Sequence, residues 1–162
     1  MGLDILTEKG QESLKEEKRA YEIFLQKNPE FKIVETIKNK SADIDALIID
    51  IKNNAVCAVI ETKSRDLTYD KLINNFNNEW LVTFEKIQKG QRLSKAFCVP
   101  FYGFLYLKGD DMLATIKICD SDGEFIQQLR IERTKTQKTI NGGTIIRANG
   151  FINMKEATYF QL

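Results

Sequence analysis

The sequence predicts an α/β domain, with a mixed central β-sheet flanked by helices and extra antiparallel strands toward the C-terminus. Three observations lead to this expectation. The chain has 162 residues, 43% of them apolar and 29% charged, a size and balance typical of one soluble domain over residues 1–162. Helical and strand periodicities alternate through the first two thirds. Closely spaced turn signals separate short apolar runs in the last third.

The first third predicts a helix followed by three strands. Residues from about Leu3 to Asn28 carry apolar side chains at helical spacing, and Pro29 ends that segment. Asn53 and Asn54 predict the turn of a β-hairpin between the second and third strands. These two strands carry apolar residues on both faces, so we expect both to be central and covered on each side by helices. The three strands are expected at 31–37, Ile44–Ile51 and Ala55–Thr62.

The remaining two thirds predict a second helical region and further sheet. Residues from about Tyr69 to Phe97 return to helical spacing, with an interruption expected at the asparagine-rich NNFNNE segment. Turn signals at 109–111 and 122–123 indicate antiparallel strands, and Asn141–Gly143 indicates one more tight turn. The expected strands are Phe101–Leu107, about Leu113–Cys119 and about Phe125–Ile131.

The absence of histidine limits the chemistry that this chain can perform. It excludes Ser-His-Asp and Cys-His nucleophiles, histidine-ligated zinc and a histidine general base. Acid, base and metal chemistry must therefore depend on carboxylates, lysines and water. Cys57, Cys98 and Cys119 lie in apolar runs without a C-x-x-C spacing, which predicts reduced core cysteines and no zinc site.

Charge and hydropathy point to a cytoplasmic protein without a membrane partner. The N-terminal residues contain no apolar run of signal-peptide length, and no stretch approaches the roughly 20 apolar residues of a membrane span. The 24 basic residues nearly balance the 23 acidic ones. Any site for a polyanion must therefore be local.

Two carboxylates and a lysine are expected to meet at one end of the predicted hairpin. Glu61 and Lys63 alternate onto the same face of the third strand, and Asp45 in its antiparallel neighbour can lie about 5 Å away. Two carboxylates this close would repel each other unless a cation neutralised them. Because the ligands are oxygens, a hard ion is favoured, Mg²⁺ or Mn²⁺. The alternative is a salt bridge at the rim of an ordinary sheet.

The strings SADIDALIID and AVIETKSR resemble the PD-(D/E)XK nuclease superfamily, in particular its small Holliday-junction-resolvase-like members. The resemblance implies a restriction-endonuclease-like core and a metal-dependent endonuclease that hydrolyses DNA, with a homodimer as one arrangement. It further implies that Asp45 and Glu61 ligate the metal and that Lys63 positions or deprotonates the attacking water. Glu17 would be the acid carried by the first helix. Asp43 has the same strand parity as Asp45 and is the rival metal ligand.

Substrate contacts are expected from a second set of residues. Gln91 occupies the position of a polar helix residue that in such enzymes lies near the substrate backbone. Arg65 follows the site directly, and the basic segment RIERTKTQKT suits contacts with phosphates. In that segment the candidates are Arg133, Lys135 and Lys138.

Several alternatives are open from the sequence. Glu16 or Glu22 could replace Glu17, or the helix could contribute no acid. Gln91 could be a buried amide bonded to backbone, and the basic segment an exposed hairpin with solvated charges. The aromatic residues between Phe97 and Tyr106 are expected in the core rather than in a stacking platform. The runner-up function is an inactive relative that binds nucleic acid or serves assembly. An unrelated ligand-binding domain would instead have a pocket lined by these aromatic residues.

Overall fold

The computed structural model describes residues 6–137 and 143–162. Helices in this part of the chain are α1 (Glu8–Lys27), α2 (Tyr69–Asn75) and α3 (Phe84–Phe97), with a short 3-10 helix at Lys108–Asp110. The strands are β1 (Phe31–Glu35), β2 (Ala46–Asp50), β3 (Ala55–Arg65), β4 (Glu79–Thr83), β5 (Phe101–Leu107), β6 (Met112–Cys119), β7 (Leu129–Gln137), β8 (Thr144–Asn153) and β9 (Thr158–Gln161).

The main sheet has six strands in the order β1-β2-β3-β5-β6-β9. All neighbouring pairs are antiparallel except β3 and β5, which run parallel. A parallel pair needs a long crossover, and the segment that contains α2, β4 and α3 provides it. A second, antiparallel sheet has the order β4-β8-β7. The expected mixed sheet flanked by helices, with added C-terminal antiparallel strands, is therefore confirmed.

The main sheet is buried on both faces, as the sequence predicts for its central strands. Helix α1 packs on one face, where Ile23 and Phe24 meet Ile60 and Phe104. Helix α3 and the second sheet cover the other face, where residues such as Val59, Leu105, Ile87 and Ile152 form a second apolar cluster. Burial on both faces explains why β2 (ALIID) and the first six residues of β3 (AVCAVI) are almost continuously apolar.

Capping residues and a proline define the two ends of helix α1. The Thr7 hydroxyl accepts a hydrogen bond from the backbone N–H of Gly10 at 2.9 Å, which is the usual bond of an N-cap. At the other end Asn28 donates to the carbonyl of Phe24, and Pro29 cannot continue the helix. The predicted end is confirmed, whereas the part of the prediction from Leu3 to Ile5 lies outside the described residues.

Two expected elements were wrong in position. The helical region 69–97 contains strand β4, which Asn77 and Asn78 introduce with left-handed φ values of 54° and 55°. The sequence predicts the interruption at NNFNNE but places EWLVT in the helix, because the apolar spacing of so few residues suits both periods. The strand expected at Phe125–Ile131 instead begins at Leu129, and Phe125 forms only an isolated bridge with Cys119.

The core expectations hold for most aromatic residues and fail for two neighbouring positions. Phe101 and Phe104 are fully buried, but Phe97 is half exposed. Cys98, expected in the core, is exposed at the left-handed C-cap of α3. Both lie at the end of the helix, where the chain turns toward β5. Within residues 6–137 and 143–162, none of the helices combines the length and apolar character needed to cross a membrane.

Gly90 fixes how closely α3 approaches the main sheet. A Cβ atom at this position would overlap the ring of Phe101, which is fully buried and has no space to move. Glycine is unfavourable inside a helix by about 1 kcal/mol relative to alanine. Here the close contact with β5 outweighs that preference.

We therefore expect Gly90→Ala to destabilise the protein by about 1–3 kcal/mol, the usual range for overpacking, although alanine favours the helix. Urea unfolding of both proteins measures the change. Gly90→Ala combined with Phe101→Leu should recover part of the loss, because the smaller side chain makes room. If Gly90→Ala is more stable than the wild type, helix propensity outweighs the contact with Phe101 at this position.

Candidate active site

The β2–β3 hairpin brings Asp45 next to Glu61. Ala46 lies opposite Ile60 in the sheet, so Asp45, directly before β2, is placed beside the Glu61–Thr62 segment. The Asp45 carboxylate accepts a hydrogen bond from the Thr62 backbone N–H at 2.7 Å, and the Asp45 N–H donates to the Ile60 carbonyl at 3.0 Å. These two bonds hold the carboxylate at the edge of β3.

Strand β3 continues past the expected end at Thr62 to Arg65, because β5 pairs with it over the whole added length. Lys63 therefore lies on a strand, with its side chain on the same face as that of Glu61. The Lys63 ammonium is 3.0 Å from Glu61 Oε1. The parallel partner strand thus fixes the acid and the lysine relative to each other.

Glu61 is buried without hydrogen bonds to its carboxylate. Its side chain is 1% exposed, and neither Oε1 nor Oε2 has a hydrogen-bond partner. The Lys63 and Lys86 ammonium groups, at 3.0 Å and 3.8 Å, form ion pairs with it but no aligned hydrogen bond. Burial raises the pKa of Glu61; Lys63 opposes that shift, and the nearby Asp45 charge adds to it. The charged form of Glu61 is therefore supported by two lysines against the cost of burial and the repulsion from Asp45.

Lys63 is a positive charge beside this carboxylate. Burial acts to lower its pKa, but the negative charges of Glu61 and Asp45 outweigh burial and raise the pKa above its ordinary value. Its side chain is one third exposed, so the ammonium group borders both the buried acid and solvent.

Glu17 reaches the site from α1 through two partners. Its carboxylate forms an ion pair with Lys38 at 2.6 Å and accepts a hydrogen bond from the Tyr21 hydroxyl at 3.0 Å. That hydroxyl is also 2.9 Å from the Thr62 hydroxyl, on the strand that carries Glu61. Burial, and then the Asp45 charge, raise the pKa of Glu17. Glu17 is therefore electrostatically part of the group around Asp45.

The two other helix acids lie elsewhere. Glu16 forms an ion pair with Lys108 at 2.6 Å, and Glu22 with Arg19 at 2.7 Å. Of the three acids considered from the sequence, Glu17 is the one whose contacts lead toward the hairpin site.

Two further lysines, Lys38 and Lys86, complete the site. Lys38, in the loop between β1 and β2, lies 4.0 Å from Asp45 Oδ1 and donates to the Asp45 carbonyl at 3.3 Å. Lys86, in the first turns of α3, pairs with Glu61 and donates to the Ala42 carbonyl at 3.2 Å. Lys86 precedes the buried Ile87, a weak signal for a side chain near the sheet. Nothing in the local sequence distinguishes Lys38.

Asp43 and Gln91 have partners other than the buried acid. Asp43 is exposed and forms an ion pair with Lys89 at 3.5 Å. Gln91 is half-buried and donates to the Gly123 carbonyl at 2.8 Å, which corresponds to the alternative of an amide bonded to backbone. The contact that α3 makes with Glu61 comes from Lys86 instead. A substrate contact by Gln91 stays a prediction.

The expected substrate residues fall into two regions. Arg65 is half-buried, donates to the carbonyls of Ser64 and Leu81, and pairs with no carboxylate in the described part of the chain. Burial lowers its pKa. Arg133 and Lys135 are exposed on β7, within an antiparallel hairpin with β8. Lys138 lies outside the described residues.

Asp45 and Glu61 are the residues that could hold a hard divalent cation, because carboxylate oxygens are the ligands such ions prefer. Within the described residues, no group of three or more aspartate, glutamate or cysteine side chains is arranged to hold a metal ion. Mg²⁺, however, often binds through only one or two carboxylates, with water and substrate phosphate as further ligands. The two Glu61 oxygens that lack hydrogen bonds, next to the Asp45 carboxylate, supply such a pair.

Comparisons of the chain with protein-family models, with curated proteins and with solved structures found no match. The resemblance to the PD-(D/E)XK nucleases therefore depends on the hairpin residues themselves. What the protein does has to be argued from the chemistry of the site.

Proposed function

We propose that the protein is a metal-dependent endonuclease that hydrolyses phosphodiester bonds in DNA with Mg²⁺ or Mn²⁺. The observation that carries the proposal is the Glu61 carboxylate, which is buried and free of hydrogen bonds beside Asp45 and Lys63. In this proposal Asp45 and Glu61 hold the metal, and Lys63 acts on the reacting phosphate and water. A restriction-endonuclease-like core belongs to the same proposal.

The energetics of Glu61 favour a functional role over a structural salt bridge. A salt bridge at the rim of a sheet keeps both partners hydrated, whereas the Glu61 side chain is almost completely removed from solvent. Taking a carboxylate out of water costs several kcal/mol, and ion pairs without aligned hydrogen bonds compensate only part of that cost. Acids whose pKa is raised by burial and by a neighbouring negative charge, as for Glu61, are typical of functional sites.

The order of the elements supports the proposed family. The resemblance implies a helix with an acid, a strand, a strand after the Ile44–Asp45 pair, a strand with Glu-x-Lys, and a further helix. Here α1 carries Glu17, β2 follows Asp45, and β3 carries Glu61 and Lys63. These segments meet in three dimensions through the hydrogen bonds of Tyr21, Lys38 and Thr62.

Each side chain has a defined task in the proposed mechanism. A bound divalent ion would stabilise charge on the non-bridging phosphate oxygens and lower the pKa of its water. Lys63 places an ammonium group where negative charge develops in the transition state. The Thr62 N–H orients the Asp45 carboxylate, and Lys38 links that aspartate to Glu17. Lys86 neutralises Glu61 from the side of α3.

A cleavage assay with linear, nicked, branched and single-stranded DNA, and with RNA, tests the proposal. We expect cutting of at least one DNA substrate with Mg²⁺ or Mn²⁺ and none with EDTA. DNA binding without cleavage under every metal condition would support the runner-up, an inactive relative that binds nucleic acid. If the protein neither binds nor cleaves any of these nucleic acids, both functions are rejected. The expected homodimer stays a prediction, and light scattering in the same buffers measures it.

A further inference from the structure

The hairpin of β7 and β8 extends beyond the second sheet as a two-stranded ribbon. Strand β4 pairs with β8 only between Asn149 and Asn153, whereas β7 and β8 stay paired as far as Gln137 and Thr144. Segments 133–137 and 144–148, here called the ribbon, are therefore joined only to each other within the sheet. At about 3.4 Å per residue, its five paired positions extend about 17 Å from the sheet.

The ribbon leaves the second sheet at the end where α3 begins. Asn149 lies opposite Thr83, the residue directly before α3. Strand β4 runs toward α3, and β8 runs antiparallel to β4. Residues 144–148 of β8 therefore extend beyond Thr83, past the start of α3. The first turns of α3 carry Lys86, which contacts Glu61. A polymer that contacted both the ribbon and the site would therefore lie across the start of α3.

The ribbon carries positive charge that the protein does not neutralise. Arg133, Lys135 and Arg147 form no ion pair with any carboxylate of the described residues. The neighbouring Glu132 is paired with Arg130, which lies outside the ribbon and is also bound to Glu79. Three uncompensated cations on a projecting element are complementary to a polyanion.

The same charges disfavour a protein strand as the partner. Strand β7 is the edge of its sheet, and alternate positions along it carry Arg133 and Lys135. Charged side chains on an edge strand, lysine above all, oppose pairing with another strand. A second copy of the ribbon would also bring like charges together. The observations therefore favour nucleic acid over a further copy of this chain.

We propose that the ribbon docks in the major groove of duplex DNA, so that the substrate is double-stranded. This inference rests on the proposed function for its link to cleavage. A two-stranded antiparallel ribbon fits the major groove of B-form DNA, which is about 12 Å wide, and the ribbon is long enough to span that groove. Arg133 and Lys135 share one face of the ribbon with Ile146, whose side chain is 63% exposed, and Arg147 lies on the other face. In the proposed complex the face with two cations and an apolar side chain turns toward the DNA, and Arg147 adds positive charge from the other face.

Binding measurements in EDTA test the ribbon independently of cleavage. The test variant is the triple change Arg133→Gln, Lys135→Gln and Arg147→Gln. The matched control is Lys27→Gln, Lys32→Gln and Lys52→Gln. It removes equal charge from exposed positions near the turn of the β2–β3 hairpin, at the end away from Asp45. Affinity for duplex DNA, single-stranded DNA and duplex RNA is measured between 50 and 200 mM salt. Thermal melting verifies that each variant is folded, and Arg133→Gln with Lys135→Gln is a second variant that keeps the half-buried Arg147.

We expect the ribbon variant to lose at least about tenfold in affinity for duplex DNA, with a salt slope shallower by roughly 0.9 for each lost phosphate contact. The control should change neither quantity to that extent. Equal losses in both variants, or equal affinity of the wild type for duplex RNA, whose deep and narrow major groove excludes a ribbon, would overturn the proposal. Ribbon-dependent duplex binding without cleavage would reject the proposed function and keep the ribbon. If the ribbon variant cleaves DNA at the wild-type rate, the ribbon proposal is rejected and the proposed function is kept.

Discussion

Replacing Lys63 by alanine is expected to reduce DNA cleavage by a factor on the order of 10²–10³ at saturating Mg²⁺. The reason is that its ammonium group, 3.0 Å from Glu61, is the positive charge of β3 that borders both the buried acid and solvent. The fold should survive, since the side chain is one third exposed. Single-turnover cleavage rates and duplex affinity in EDTA measure the two effects separately, and affinity should change only a few-fold.

Lys108→Ala is the matched control for this variant. Lys108 also forms ion pairs with glutamates, Glu12 and Glu16 of α1. Its removal should leave the cleavage rate within about twofold, because these ion pairs involve neither Asp45 nor Glu61. If Lys63→Ala cleaves at the wild-type rate, Lys63 has no part in the chemistry.

Replacing Glu61 by glutamine is expected to stabilise the protein while it abolishes cleavage. The carboxylate is buried, lacks hydrogen bonds and is repelled by Asp45, so a neutral side chain of the same shape removes a desolvation cost. Lys63 and Lys86 are each about one third exposed and can stay hydrated. A gain on the order of 1 kcal/mol corresponds to a rise of about 2–4 °C in Tm. Calorimetry in EDTA measures the change.

Two comparisons make the Glu61 result specific. Glu16→Gln also removes a glutamate from an ion pair with lysine, but Glu16 is 15% exposed and its lysine is one third exposed, so its Tm should stay equal or fall slightly. Mg²⁺ should raise the Tm of the wild type, because a ligand that binds only the folded state stabilises it, and it should leave Glu61→Gln unchanged. A Tm for Glu61→Gln below that of the wild type in EDTA would show that the buried carboxylate contributes to stability.

The hairpin and its three polar residues could be predicted because the necessary information is local. Strand periodicity and an asparagine turn define the pairing of β2 and β3, and the pairing determines which side chains are adjacent. Asp45 and Glu61 are only 16 positions apart in the sequence. The same holds for α1, whose capping residues and proline mark its end within a few residues of Lys27.

Other features could not be predicted in this way. Strand β4 exists because β8, some seventy residues later, pairs with it, and five residues with mixed periodicity do not indicate that partner. The contact of Lys86 with Glu61 depends on how α3 packs against the sheet, where Gly90 lies directly on the Phe101 ring. Lys38 reaches Asp45 and Glu17 from a loop without any sequence signal.

The sequence by itself determined which chemistry is open to this protein: carboxylates and lysines without histidine, with two acids and a lysine at the end of a hairpin. Only the tertiary structure decided that Glu61 is buried without hydrogen bonds, that three lysines surround the acids, and that a basic ribbon projects past the start of α3. The physical reason is that composition and periodicity act over a few residues along the chain. Burial, electrostatic coupling and the exposure of an edge arise from segments that meet only when the sheets and helices pack together.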